Sequence, residues 1–119
     1  RFKNQEKIAS KKIKKEVLSK FKNAENHLNK GNTNAFYNEL YNGWLIYISD
    51  KLKINKANLN KENILKSLEE NKFPNEVIAN LTDILNECEI AQYSPIDKQD
   101  AKKTLTFSRD VITKFENHG

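Results

Sequence analysis

The sequence predicts an all-α fold, a single compact bundle of about five helices. Hydrophobic residues make up 37% of the 119-residue chain, and they fall in blocks at helical spacing rather than being scattered. The chain has only three glycines and two prolines, too few turn-forming residues for a sheet of many strands. Because a chain of this length fits one domain, we expect a single hydrophobic core.

The first predicted element is a basic segment that continues into a helix. Residues 1–22 carry nine Lys or Arg and two Glu, a net charge of +7, whereas 12 basic and 14 acidic residues give the rest of the chain a net charge of −2. Val17, Phe21 and Leu28 recur at helical spacing and predict a helix over about 11–30. We therefore expect a basic, partly disordered arm over residues 1–10 and a helical domain over 11–119.

The second predicted helix, over about 34–53, is expected to be central because it holds the only Trp and the densest aromatic run. Gly31 suits the backbone that ends a helix, and Asn32 or Thr33 can cap the next one. Gly43 lies inside the helix, where it costs about 1 kcal/mol relative to Ala, so we expect a neighbouring helix to approach closely there. The apolar face is broad and comprises Phe36, Tyr37, Leu40, Tyr41, Trp44, Leu45, Tyr47, Ile48 and Leu52.

Three further helices follow. Asn58 or Asn60 can cap a helix over about 61–71 through its side-chain oxygen. Pro74 suits the first turn of a fourth helix that runs to about Tyr93 and is ended by Ser94–Pro95. The fifth helix is predicted over about 98–117, with Ala101, Leu105, Ser108, Ile112 and Phe115 on one face.

The residues that carry chemistry form no catalytic or metal-binding pattern. Cys88 lies between Glu87 and Glu89, whose charges disfavour the reactive thiolate, and its helical stripe turns the sulfur toward the core. The chain has only three His or Cys side chains that could bind a metal such as zinc, namely His27, Cys88 and His118. They are too far apart in sequence to match a known zinc-binding motif. We therefore predict no enzyme and no cofactor, and we assign no catalytic, cofactor-binding or metal-binding residue.

Three stretches resemble the C-terminal helical domain of the BatD family, which are bacterial membrane proteins of the aerotolerance (Bat) operon. The first runs from Ala35–Phe36–Tyr37 to Trp44, Tyr47 and Ser49–Asp50–Lys51–Leu52, and the second joins Leu59 to Glu62–Asn63–Ile64. The third and most specific is Cys88–Glu89–Ile90–Ala91–Gln92–Tyr93–Ser94–Pro95. In order and spacing the resemblance covers about positions 10–115, with Gln92 where we associate Arg with the family.

The resemblance implies a non-enzymatic domain that follows the single membrane span of a protein with a larger periplasmic part. Its partners would be other Bat proteins, which carry von Willebrand A-type and tetratricopeptide modules beside a MoxR-type ATPase. The chain has no Met and begins at Arg1, so we expect it to be a piece of a longer protein. A basic arm directly after a span is what the positive-inside rule predicts for the cytoplasmic side.

Residues and resemblance together predict a cytoplasmic helical interaction domain, tethered to the inner membrane by an upstream span, that helps assemble a complex for tolerance of oxidative stress. The alternative is a small basic helical module that binds nucleic acid. We expect Tyr47 and Tyr93 to meet at a partner surface made of Tyr47, Gln92, Tyr93 and Pro95. The lysines of the basic arm can form a solvated helix face or a segment that faces an anionic membrane, and in the second case we expect that segment to comprise Arg1, Lys3, Lys7, Lys11, Lys12, Lys14 and Lys15.

Overall fold

The computed structural model describes the backbone of residues 2–118 and the side chains of residues 11–118. Within this range it contains five α-helices and no strand, which confirms the predicted all-α bundle. A short 3-10 helix, Lys56–Asn58, precedes the third α-helix. The α-helices are α1 (Phe2–Asn29), α2 (Thr33–Leu52), α3 (Lys61–Glu70), α4 (Asn75–Ile90) and α5 (Lys98–His118).

The helix boundaries follow from local capping chemistry. The side-chain oxygen of Asn32 accepts a hydrogen bond from the Ala35 N–H at 3.1 Å and begins α2, and Asn60 caps α3 through the Asn63 N–H at 2.8 Å. Gly31 has a φ of 81° after α1, the left-handed conformation that ends helices and that glycine adopts without strain. The predicted stop and both predicted starts are therefore confirmed.

Two boundaries differ from the sequence expectation. Helix α1 begins at Phe2 rather than near Lys11, so the helix runs back into the segment expected to be a partly disordered arm. The division of the chain at residue 10 stays a prediction. Helix α4 ends at Ile90 rather than near Tyr93, because the N–H groups of Gln92 and Tyr93 bond to carbonyl oxygens only three residues earlier, those of Glu89 and Ile90, at 3.1 and 3.0 Å. Pro95 then disfavours further helix.

Helix α2 lies at the centre of the bundle, as predicted. Trp44 is fully buried, and its indole N–H donates to the Ser108 hydroxyl of α5 at 3.3 Å. The Phe115 ring of α5 lies 5.7 Å from the Trp44 ring and 5.5 Å from the Phe73 ring. Phe21 of α1 completes the cluster at 5.6 Å from Trp44. One aromatic core therefore joins α1, α2, the α3–α4 turn and α5.

The bundle has two distinct ends. At one end, the α1–α2 turn lies against the loop between α4 and α5, since residues 31–34 and 91–96 line one groove. At the other end, Lys51 of α2 pairs with Glu116 of α5 at 3.2 Å, and Phe73 stacks on His118 at 4.5 Å. The first described side chains of α1 belong to this second end, because Ile13 lines the same small cleft as Asp50.

Gly43 of α2 faces Lys20 and Phe21 of α1, so substitutions at this position test how closely the two helices pack. A Cβ at this position would lie 3.4 Å from the Lys20 Cβ and 3.5 Å from the Phe21 ring, which is ordinary van der Waals contact. We expect Gly43→Ala to raise the free energy of unfolding by about 0.5 to 1 kcal/mol, because it removes the glycine penalty without a clash. Gly43→Leu should lower it by about 1 to 3 kcal/mol through overpacking. Urea denaturation of both variants checks this, and a loss of stability in Gly43→Ala would contradict it.

Candidate partner-binding surface

The two most exposed large hydrophobic side chains of the described range lie where α4 ends. Ala91 is buried and holds the chain against the bundle, so the tight turn that follows carries the next side chains outward. Tyr93 is 87% exposed and Ile90 is 56% exposed. We call the exposed side chains of Ile90, Gln92, Tyr93 and Pro95 the Tyr93 surface.

An open groove of about 450 Å³ separates the Tyr93 surface from the α1–α2 turn. Its lining alternates apolar groups with the side-chain amides of Asn32, Asn34 and Gln92, each of which can both donate and accept hydrogen bonds. Ile96, half-buried, forms part of its floor. An exposed aromatic ring beside uncharged polar groups is the composition typical of a protein interface.

The structure brings together three of the four residues predicted to form a partner surface. Gln92, Tyr93 and Pro95 are all exposed on the same loop. Tyr47 is not among them, because it is only 1% exposed, its ring packs on Phe115, and its hydroxyl donates to Glu116 of α5.

The expected meeting of Tyr47 and Tyr93 is therefore wrong. Asn34, which borders the groove with Tyr93, and Tyr47 are separated by about 20 Å along α2. The aromatic stripe of α2 turns Tyr47 toward the C-terminal part of α5, whereas Tyr93 lies beside the N-terminal turn of α2.

The described part of the basic arm lies at the opposite end of the bundle. Lys11, Lys12 and Lys15 are exposed and Lys14 is half-buried, on the stretch of α1 beside the C-terminal part of α2. The side chains of Arg1, Lys3 and Lys7 lie outside the described residues. Because α2 has 20 residues, the basic stretch and the Tyr93 surface are about 30 Å apart along the bundle.

Cys88 lies in the core at 2% exposure, as its helical stripe predicted. The pKa of its thiol is raised, mainly by burial and further by the negative charges of Glu87 and Glu89. At neutral pH the side chain is therefore a protonated thiol packed in an apolar interior. Among the described residues, no group of three or more His, Cys, Asp or Glu is arranged to hold a metal ion.

A buried polar network behind the Tyr93 surface was not predicted. The carboxylate of Glu87 in α4 accepts a hydrogen bond from the Tyr37 hydroxyl of α2 at 2.7 Å and another from the Thr104 hydroxyl of α5. Glu87 is half-buried, and its neighbour Glu89 pairs with Lys61 of α3 at 2.7 Å. The network joins three helices directly below the loop that carries Tyr93.

The buried tyrosines predict a loss of stability in alkali. Burial, followed by the hydrogen bond to a carboxylate, raises the pKa of both Tyr37 and Tyr47 above the ordinary value of 10. Their contribution to stability is present in full below pH 10, and it declines as the pH rises above 10 because only the unfolded chain then ionises them. Each should add about 1.4 kcal/mol per pH unit to this decline.

Urea denaturation of the wild type and of Tyr37→Phe at several pH values above 10 measures this effect. The variant should lose stability with a slope smaller by about 1.4 kcal/mol per pH unit. Ionisation of lysines is common to both proteins, so the comparison isolates Tyr37. Equal slopes would contradict a buried, neutral Tyr37 hydroxyl.

In the part of the chain that the structure describes, no helix is both long and apolar enough to cross a membrane. No protein-family model matches this chain, and no curated protein or solved structure is significantly similar to it.

Proposed function

We propose that this chain is a non-enzymatic protein-interaction domain that binds its partner through the Tyr93 surface. The observation that carries the proposal is the 87% exposure of the Tyr93 ring, next to an Ile90 that is 56% exposed. Leaving these groups in water forfeits the free energy that burying them would gain, about 25 cal/mol per Å² of apolar area. A partner that covers Ile90 and Tyr93 gains this free energy of burial. Tyr is also among the residue types that contribute most of the binding energy at interfaces.

The resemblance to the BatD family supplies the proposed setting. In it the domain sits on the cytoplasmic side of the bacterial inner membrane, tethered by a span upstream of residue 1. Its partners are the von Willebrand A-type and tetratricopeptide proteins of the Bat operon, and their assembly supports tolerance of oxidative stress. The oligomeric state is left open.

The arrangement of the bundle supports this orientation. The exposed Lys11, Lys12 and Lys15 stand at one end, where each Lys near an anionic membrane contributes about 1 kcal/mol of attraction. The Tyr93 surface stands at the other end, about 30 Å farther along the bundle. A domain held at the membrane by its basic end would present the Tyr93 surface to the cytoplasm.

Binding of the purified Bat partners tests the proposal. We expect Tyr93→Ala to weaken binding of the von Willebrand A-type or the tetratricopeptide protein about tenfold or more, because truncation of an interface hot spot costs more than about 1.4 kcal/mol. Phe107→Ala is the matched control, since Phe107 is an aromatic ring exposed on α5 outside this surface. Isothermal titration calorimetry measures both variants.

Two outcomes would contradict the proposal. One is that no Bat protein shows binding that Tyr93→Ala weakens, either because neither protein binds or because the variant binds as the wild type does. The other is tight binding of duplex DNA or RNA that falls steeply with salt and disappears when Lys11, Lys12 and Lys15 are replaced by Gln. That result would support the nucleic-acid alternative instead.

A further inference from the structure

A second groove, of about 550 Å³, runs between α4 and α5 and adjoins the Tyr93 surface. Ile96 lines both this groove and the groove beside the α1–α2 turn. Ile90 lines only the groove between α4 and α5. The exposed apolar side chains at the end of α4 therefore continue into the groove between the two helices.

The charge of this second groove is negative. Asp83, Glu87 and Asp100 contribute three carboxylates to its lining, and Lys103 is the one basic residue there. Asp83 and Asp100 are exposed, and neither forms an ion pair with a described residue. Two carboxylates at the rim are thus free to meet a cation, while Glu87 is held inside by Tyr37 and Thr104.

We propose that the α4–α5 groove binds a short, basic, amphipathic segment of the partner protein. Apolar side chains of that segment would pack on Ile90, Ile96 and Tyr93, and its Lys or Arg side chains would pair with Asp83 and Asp100. This inference rests on the proposed function, because it specifies the chemistry of the partner that covers the Tyr93 surface.

Two physical arguments favour a basic occupant over a neutral or acidic one. An acidic segment would bring its charges next to three carboxylates, and like-charge juxtaposition suppresses wrong partners. A Lys or Arg near Tyr93 can also lie over its exposed ring, a cation–π contact worth about 0.5 to 1 kcal/mol at such a site. The whole chain carries a net charge of +5, so attraction of a cationic segment must come from these local carboxylates.

The test uses the whole chain and two synthetic peptides. The first is an amphipathic helix of Leu and Lys with a fluorescent label, and the second has the same sequence with Glu in place of Lys. Fluorescence anisotropy should show binding of the Lys peptide, with an affinity at least about tenfold above that of the Glu peptide.

Three variants assign the binding to the groove. Ile90→Ser and the double variant Asp83→Asn/Asp100→Asn should each weaken binding of the Lys peptide about tenfold. The control Asp110→Asn removes an exposed carboxylate of α5 that does not line the groove, and it should leave the affinity unchanged. Raised salt should weaken binding to the wild type more than to the double Asp variant, because charge pairs at exposed sites are screened.

Four results would overturn the inference: no binding of the Lys peptide, equal binding of both peptides, equal effects of all the Asp variants, or a dimer of the chain that Ile90→Ser converts to a monomer. The dimer would show that a second copy covers the groove. If a Bat protein binds through Tyr93 while the Lys peptide does not bind, this inference fails and the proposed function stands. If neither binds, both fail.

Discussion

Trp44→Ala is expected to lower the free energy of unfolding by about 3 to 5 kcal/mol. The side chain is fully buried and lies within 6 Å of the Phe21, Tyr47 and Phe115 rings, which belong to three different helices. Truncation leaves a cavity at the point where these helices meet, and it removes the hydrogen bond to the Ser108 hydroxyl. Because domains are stable by about 5 to 15 kcal/mol, the variant loses a large share of its stability.

Urea denaturation followed by far-UV circular dichroism measures this loss without relying on the fluorescence of the removed Trp. Phe107→Ala is the matched control, because its ring is partly exposed and outside the aromatic core; it should change stability by less than about 1 kcal/mol. A loss below about 1 kcal/mol in Trp44→Ala would show that α2 is not the centre of the packing.

Glu87→Ala is expected to lower the free energy of unfolding by about 2 to 3 kcal/mol. Its carboxylate accepts a hydrogen bond from the hydroxyl of Tyr37, a residue that is buried in the core. Thr104 keeps a second acceptor in the Asp100 carbonyl oxygen at 3.1 Å. The cost therefore comes mainly from Tyr37, whose hydroxyl loses its carboxylate acceptor.

A double-mutant cycle separates this effect from simple loss of packing. Tyr37→Phe removes the same hydrogen bond from the other side, so the combined variant should be about 1 to 2 kcal/mol more stable than the sum of the two single losses predicts. Glu89→Ala is the control, because Glu89 is paired with Lys61 at a partly exposed site and should show no coupling to Tyr37. Additive losses in Tyr37→Phe and Glu87→Ala would contradict a shared network.

The parts of the fold that depend on local chemistry were predictable from sequence. Asn32 and Asn60 cap helices through contacts three residues away, and Gly31 ends α1 because of its own backbone conformation. The central position of α2 followed from the breadth of its apolar face around Trp44. Cys88 was placed in the core by its helical stripe alone.

The parts that depend on which helices meet were not predictable. Tyr47 and Tyr93 carry the same side chain, but one hydroxyl finds Glu116 of α5 while the other remains in solvent. Glu87 looks like a surface carboxylate beside Glu89, and only the approach of α2 and α5 supplies the hydroxyls of Tyr37 and Thr104. Helical periodicity shows which face of a helix is buried, but it does not show which other helix packs against that face.

The proposed membrane-facing lysines and the proposed partner surface lie at opposite ends of the bundle. The lysines of α1 form one end, and the exposed turn that follows α4 forms the other. The network of Glu87 joins α2, α4 and α5 directly beneath that turn, so the surface proposed to bind a partner is supported by three helices. Partner binding through such a surface requires little rearrangement of the domain.

Site-specific photo-crosslinking tests the central claim most directly. A photoreactive benzoylphenylalanine replaces Tyr93 in one variant and Phe107 in the control, in cells that produce the Bat proteins. The proposed function predicts a covalent adduct of the von Willebrand A-type or the tetratricopeptide protein from position 93 and none from position 107. No adduct from position 93, or equal adducts from both positions, would contradict it.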